Sequence, residues 1–165
     1  MIDSTVNILS EYISNPYLLV ILISMVPIIE SSGSIPYGIL VLNLPWYNVV
    51  MVSIAANFLV TIPIIYLLDP ISEYFRRFKV ADRFFSWLFA RSERKAGIVS
   101  KLKVLGLILF IGIPLPVTGA WTGCVAANIF GISKKHTLIG VFFGILMSVL
   151  IIASLSLTTD KFLLK

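Results

Sequence analysis

Charge is what this chain has least of. Only 13% of its 165 residues are Asp, Glu, Lys or Arg, against about 25% in an ordinary soluble domain. Cysteine is nearly absent: Cys124 is alone and sits in an apolar segment, which excludes an internal disulfide and a cysteine metal site. His136 is the only histidine, beside Lys134 and Lys135, so no histidine metal set can be built. There is no phosphate-binding glycine loop, no Ser-His-Asp combination and no second acid in an apolar segment to pair with Glu30. An enzyme, a cofactor and a bound metal are therefore not expected. What is abundant is apolar side chain, at 58% of residues with a mean hydropathy of +1.00. That excludes a water-soluble globular protein.

The charges are also clustered. From Tyr12 to Leu68 the only formal charge is Glu30; from Leu102 to Ser133 it is Lys103; from Thr137 to Thr159 there is none. Each desert exceeds the roughly 20 residues that cross a bilayer, which marks an integral membrane protein. Nine of the thirteen Lys and Arg fall between Arg76 and Lys103, and residues 69–103 carry a net +5. Beside apolar spans, such a segment is cytoplasmic positive charge facing anionic lipid rather than a nucleic-acid site. The start, Met1-Ile2-Asp3, lacks the basic region of a signal peptide, so none is expected.

The spacing predicts an all-α chain. Ile2, Val6, Leu9 and Ile13 recur as an amphipathic surface helix. Asn15-Pro16 then reads as an N-cap with proline in the first turn. Residues 16–44 are apolar but broken at the centre by Pro27, Glu30, Ser31, Ser32, Gly33, Ser34 and Pro36. The arm over 16–29 gives about 21 Å of helix, short of the roughly 30 Å hydrocarbon core. A re-entrant hairpin fits this; a single span over Tyr12–Ile29 is the competing reading. Residues 45–68 predict a full transmembrane helix, and Asp69-Pro70 the start of a basic amphipathic helix carrying Arg76, Arg77, Lys79 and Arg83. Residues 104–132 repeat the broken pattern around Pro114 and Pro116 as a second hairpin, and 137–157 form a second full span.

Sliding the chain by 87 residues places Pro27 on Pro114 and Ser31 on Thr118. Two repeats follow, each a re-entrant helical hairpin plus one transmembrane helix, inverted because a single crossing separates them. With both hairpins returning to their own side, the basic segment and Lys134-Lys135 share the cytoplasmic face, and both termini lie outside a multi-pass cell membrane protein. So few spans barely enclose a cavity, which makes a homodimer plausible.

Glu30 is the residue most in need of an explanation. An ionised carboxylate in hydrocarbon costs several kcal/mol, so it is protonated, paired or facing water. That makes it a candidate for taking up and releasing a proton, and Glu30→Gln should leave folding intact. Proline breaks free backbone groups at membrane depth, tolerated only where they are buried in protein or line a cavity. Helices restarting after Ser34-Ile35-Pro36 and at Thr118 would aim N-terminal N–H groups at the middle of the protein, where an anion could sit. Asn57 and Asn128 could add amide contacts or simply join helices, and Trp121 could line the cavity or fill it.

Two segments carry a family resemblance. The run from Pro27 to Gly38, PIIESSGSIPYG, and the run from Ile113 to Gly123, IPLPVTGAWTG, resemble the two signatures of the putative small multidrug export protein family. That family is itself similar to the DedA superfamily, whose members have two facing re-entrant hairpins. Several of them are associated with moving phospholipids or polyprenyl phosphate carriers, with coupling to the proton gradient. The resemblance implies that Glu30 matches the hairpin acid and that Pro36, Pro114 and Pro116 match the breaks. Relatives carry an arginine close after the acid, where this chain has Ser32, and residues 104–132 hold no basic side chain. A phosphate would then rest on helix N-termini or on Lys101 and Lys103.

The expected function is translocation of an amphiphile, either a lipid phosphate or a hydrophobic cation. The site would be drawn from Glu30, Ser34, Pro36, Asn57, Pro114, Pro116, Thr118, Gly119, Trp121 and Asn128. Arg76, Arg77, Lys79, Arg83, Lys101 and Lys103 would hold lipid headgroups. The alternative is a membrane scaffold or subunit that binds anionic lipid or a partner protein.

Overall fold

A computed structural model of the chain describes residues 15–27, 29–76, 96–115 and 118–163. The expected surface helix over 2–13, and Arg77, Lys79, Arg83 and Pro116, lie outside the described residues, as do the side chains of Arg76 and Lys101. Every regular element among the described residues is helical.

Helix α1, Pro16–Met25, begins as its sequence dictates: the Asn15 side chain accepts from Tyr17 N at 3.0 Å, and proline occupies the first turn. It stops because Val26 precedes Pro27, and a residue before proline is pushed to extended backbone. Helix α2, Glu30–Pro36, restarts three residues after that proline and runs on as a widened π turn over Tyr37–Val41. Pro36 is thus not a break, contrary to its expected role. A proline removes one donor and crowds the previous turn. The chain absorbs this by widening the following turn, where Leu42 N reaches Tyr37 O at 3.0 Å.

Helix α3, Trp46–Arg76, is also longer than expected, since it passes through Asp69 and Pro70 instead of starting anew there. A proline removes one donor and strains the turn before it, yet helical turns persist on both sides of Pro70, as they do around Pro63. Helix α4, Ala96–Gly112, leads to a loop tied by Thr118, whose hydroxyl donates toward Ile113 O and Leu115 O at 3.2 and 3.1 Å. Helix α5, Ala120–Ile129, ends in a turn at Gly131, where φ is 63° and Ile132 N bonds Ala127 O at 2.9 Å. Helix α6, Lys134–Leu163, completes the fold.

Each of the two long helices packs beside a pair of shorter ones. In the first half α1 and α2 fold back on each other, with Ser24 meeting Ser34 and Val20 lying against Gly38. Helix α3 runs parallel to α1, because Tyr17 meets Asn48 and Ser34 joins Ser24 to Ser53. In the second half Lys103 Nζ donates to Phe130 O at 2.8 Å, closing the open ends of the α4–α5 pair. Helix α6 runs parallel to α4, with Leu107 against Gly140 and Ile111 against Gly144. The two long helices are antiparallel: Lys134 stands 4.6 Å over the Tyr66 ring, and further along α6 Phe142 meets Phe58 edge-on at 5.4 Å. The short apolar stretches Pro16–Met25 and Lys103–Gly112 are offset by 87 residues at both ends.

Two stretches, Trp46–Leu68 and Lys134–Thr159, are long and apolar enough to cross a bilayer. They are not the core helices of a water-soluble protein. Met51, Leu59 and Leu67 on α3, and Ile139, Phe143, Leu150 and Leu155 on α6, all point outward. An apolar outer surface on this scale suits lipid and not water.

Candidate functional site

One set of polar groups is buried inside. Glu30, the first residue of α2, is 7% exposed and carries φ 47°, a left-handed conformation rare for a side chain of its size. Such strain costs about 1–3 kcal/mol and persists only where the surroundings impose it. Here the surroundings are the start of α5. Oε2 accepts from Ala120 N at 2.9 Å and Oε1 from Trp121 N at 3.1 Å. Those two N–H groups lack partners within their own helix. A residue ninety positions away therefore caps α5, and the helix dipole favours its negative charge.

Gly119, the residue before α5, makes this contact possible. A Cβ there would overlap the Glu30 carboxylate. Thr122 Oγ1 accepts from Gly119 N at 3.0 Å and sets the turn. The expected restart at Thr118 thus falls at Ala120, and Thr118 serves the loop instead. The expected restart after Pro36 falls at Glu30 itself. The anion at the one N-terminus is the chain's own carboxylate.

Beside this clamp runs a buried polar seam. Asn57 Nδ2 donates to Ser31 Oγ at 3.2 Å. Ser34 Oγ lies 2.7 Å from Ser24 Oγ and 3.1 Å from Ser53 Oγ, and Ser24 also reaches Val20 O at 2.7 Å. Among the described residues, two buried polar atoms near the clamp have no partner: Asn57 Oδ1 and Trp121 Nε1. Turning the Asn57 amide over would leave its NH₂ unmatched instead. An unmet buried polar group costs about 1–3 kcal/mol, so this is where water or a polar ligand atom gains most.

Of the residues singled out by sequence, the structure brings Glu30, Gly119, Trp121 and Asn57 to one place, with Ser34 in the adjoining seam. Asn128 is not brought there. It lies eight residues along α5, about 12 Å from the clamp end, beside a small cavity with Cys124, Lys134 and Thr137. Pro114 stays in the loop between α4 and α5, and Lys103 sits at the far end of that pair. Sequence reasoning missed Ser24, Ser53 and Thr61. The last two could have been found, because Ser53, Asn57 and Thr61 recur every four residues along an otherwise apolar span and are all buried. Among the described residues no three of His, Cys, Asp or Glu come together as a metal set.

Two bilayer-length apolar helices, lipid-compatible outer faces and a polar interior gathered around one carboxylate define an all-helical membrane protein. Residues 30–151 match the family model described as "Putative small multi-drug export protein". That is most of the chain, and the protein belongs to this family. No curated protein and no solved structure matches it.

Proposed function

We propose that the protein is an exporter that moves an amphiphile across the cell membrane through the seam beside Glu30, with a proton bound and released at that carboxylate. The carrying observation is the Glu30 clamp, which ties the inner end of α2 to the inner end of α5. The family's description as an export protein supports the class of activity.

In this reading the α1–α2 and α4–α5 pairs are re-entrant hairpins and the two halves are inverted repeats, distantly related to the DedA superfamily. Three features support it: the back-folded pairs, the parallel long helix in each half, and the antiparallel packing of α3 on α6. Both termini are then outside, and the basic central segment and Lys134-Lys135 face the cytoplasm and its anionic lipids.

The chemistry follows from the clamp. An ionised Glu30 accepts both N–H bonds. Once protonated, one of its oxygens becomes an O–H donor and no longer accepts strongly, which frees an N–H at the start of α5. Protonation thus loosens the joint between the halves and exposes one N–H donor to cargo. Discontinuous helices with the site at the repeat interface are a recurring transporter design.

The test is flux in liposomes that contain only this protein, under an imposed proton gradient, with a lipophilic cationic dye and a fluorescent lipid phosphate as cargoes. Gradient-driven flux of one cargo is expected in the parent and background flux in Glu30→Gln. Full gradient-driven activity in a properly inserted Glu30→Gln protein would remove Glu30 from the mechanism. No flux of either cargo in the parent would favour a lipid-binding scaffold.

A further inference from the structure

The outer side of the α4–α5 pair carries a groove of about 330 Å³, walled by Lys103, Gly106, Leu107 and Phe110 on α4, by Ala126 on α5 and by Phe130 just past its end. It is open outward, since Phe110 and Phe130 are exposed. Its floor is bare at Gly106: a Cβ built there would meet nothing within 4 Å.

The groove is polar at one end only. Lys103 is its single charged residue, and one of its three N–H groups is used on Phe130 O. That leaves donors free at the level of the Gly131 turn, close to where α6 begins with Lys134 and Lys135. From Lys103 to Phe110 the apolar wall extends about 10 Å along the helix. One cationic end and a narrow apolar body fit a single hydrocarbon chain with a negative headgroup. A cationic amphiphile would meet like charge at Lys103.

We propose that this groove is a binding site for an anionic phospholipid, with one acyl chain lying over Gly106 between Phe110 and Phe130 and the phosphate on Lys103. It rests on the reading above that the α4–α5 pair enters the bilayer, and it is independent of whether the protein transports anything.

The test uses the full chain in phosphatidylcholine vesicles doped with phosphatidylglycerol or phosphatidylcholine carrying a mid-chain diazirine. Cross-linked residues are mapped by mass spectrometry. Leu105 and Leu109, exposed on α4 and absent from the groove wall, report general lipid contact. The phosphatidylglycerol probe should label Phe110 and Phe130 about fivefold more than the phosphatidylcholine probe, the factor one basic residue contributes near anionic lipid. Both probes should label Leu105 and Leu109 equally. Gly106→Phe fills the floor and should bring labelling at Phe130 down to the phosphatidylcholine level. Lys103→Gln should abolish the headgroup preference and Lys103→Arg should keep it. Equal labelling by both probes in the parent would reduce the groove to ordinary lipid contact and overturn the proposal. So would labelling indifferent to Gly106→Phe, or a groove dark to both probes whose Phe130→Cys variant cross-links to a second copy. Failure to label Leu105 and Leu109 would overturn the insertion reading first. Binding without flux in the liposome assay would sink the exporter reading alone.

Discussion

Replacing Glu30 by Gln looks mild and should not be. The carboxylate offers an acceptor to each of two amides, Ala120 N at 2.9 Å and Trp121 N at 3.1 Å. A glutamine in the same place offers one carbonyl and one NH₂, so one of the two amides faces a donor and loses its partner. Leaving a buried donor unsatisfied costs about 1–3 kcal/mol, and the remaining bond weakens because its acceptor is no longer charged. Loss of the negative charge at the helix N-terminus removes a further ~0.3–1 kcal/mol. The total expected loss is about 2–4 kcal/mol, large beside the ~0.5 kcal/mol scatter of neutral substitutions. Unfolding by SDS in mixed micelles measures it, and hydrogen exchange over residues 118–125 locates it, with the Ala120 and Trp121 amides losing protection first. A Glu30→Gln protein that unfolds with the parent, its α5 amides equally protected, would refute the clamp.

Gly119→Ala should reproduce that phenotype with the carboxylate intact, because its Cβ would take the space of the Glu30 oxygens; it should expose the same α5 amides to exchange. Gly144→Leu should destabilise by about 1–3 kcal/mol through overpacking, since Ile111 and Ile108 O already crowd that position. Thermal unfolding in detergent reads the difference, and an unchanged midpoint would mean that α4 does not lie on α6. In a Cys124→Ala background, Lys103→Cys and Lys135→Cys should label from one face of sealed vesicles and Asn43→Cys from the other. Opposite faces for Lys103→Cys and Lys135→Cys would mean that residues 104–132 cross the membrane.

The layout was legible because it depends on local chemistry. Asn15-Pro16 starts a helix and Pro27 stops one wherever they occur. The runs without charge place the two bilayer-length stretches, Trp46–Leu68 and Lys134–Thr159. The candidate site was only half legible. Glu30 stood out by its cost and the free N–H groups near Thr118 by the proline break, but nothing local shows that the two meet across ninety positions. Nothing local to Pro36 reveals that the next turn can widen around it, and nothing local to Asp69-Pro70 reveals that α3 will continue. Asn57 and Asn128 look equivalent as letters. They part only because Asn57 lies on α3 against Ser31 while Asn128 falls two turns down α5, away from the clamp.

The clamp also narrows the question of cargo charge. An anion seeking the start of α5 finds Glu30 already there, and a cation seeking Glu30 finds it already bonded to two amides. Either cargo therefore needs the same prior event, parting of Glu30 from Ala120 and Trp121, and the two diverge only afterwards. A cation needs the freed carboxylate in its charged form. An anion needs the freed amides, and gains most when the carboxyl is neutral. Glu30→Gln separates them. It removes the cation's counter-charge outright, so cationic flux should vanish with or without a gradient. For an anionic cargo it supplies a permanently neutral, weakened clamp, so downhill exchange should survive while coupling to protons is lost. Passive exchange in that one variant thus assigns the sign of the cargo, because both possibilities compete for the two halves of a single bond pair.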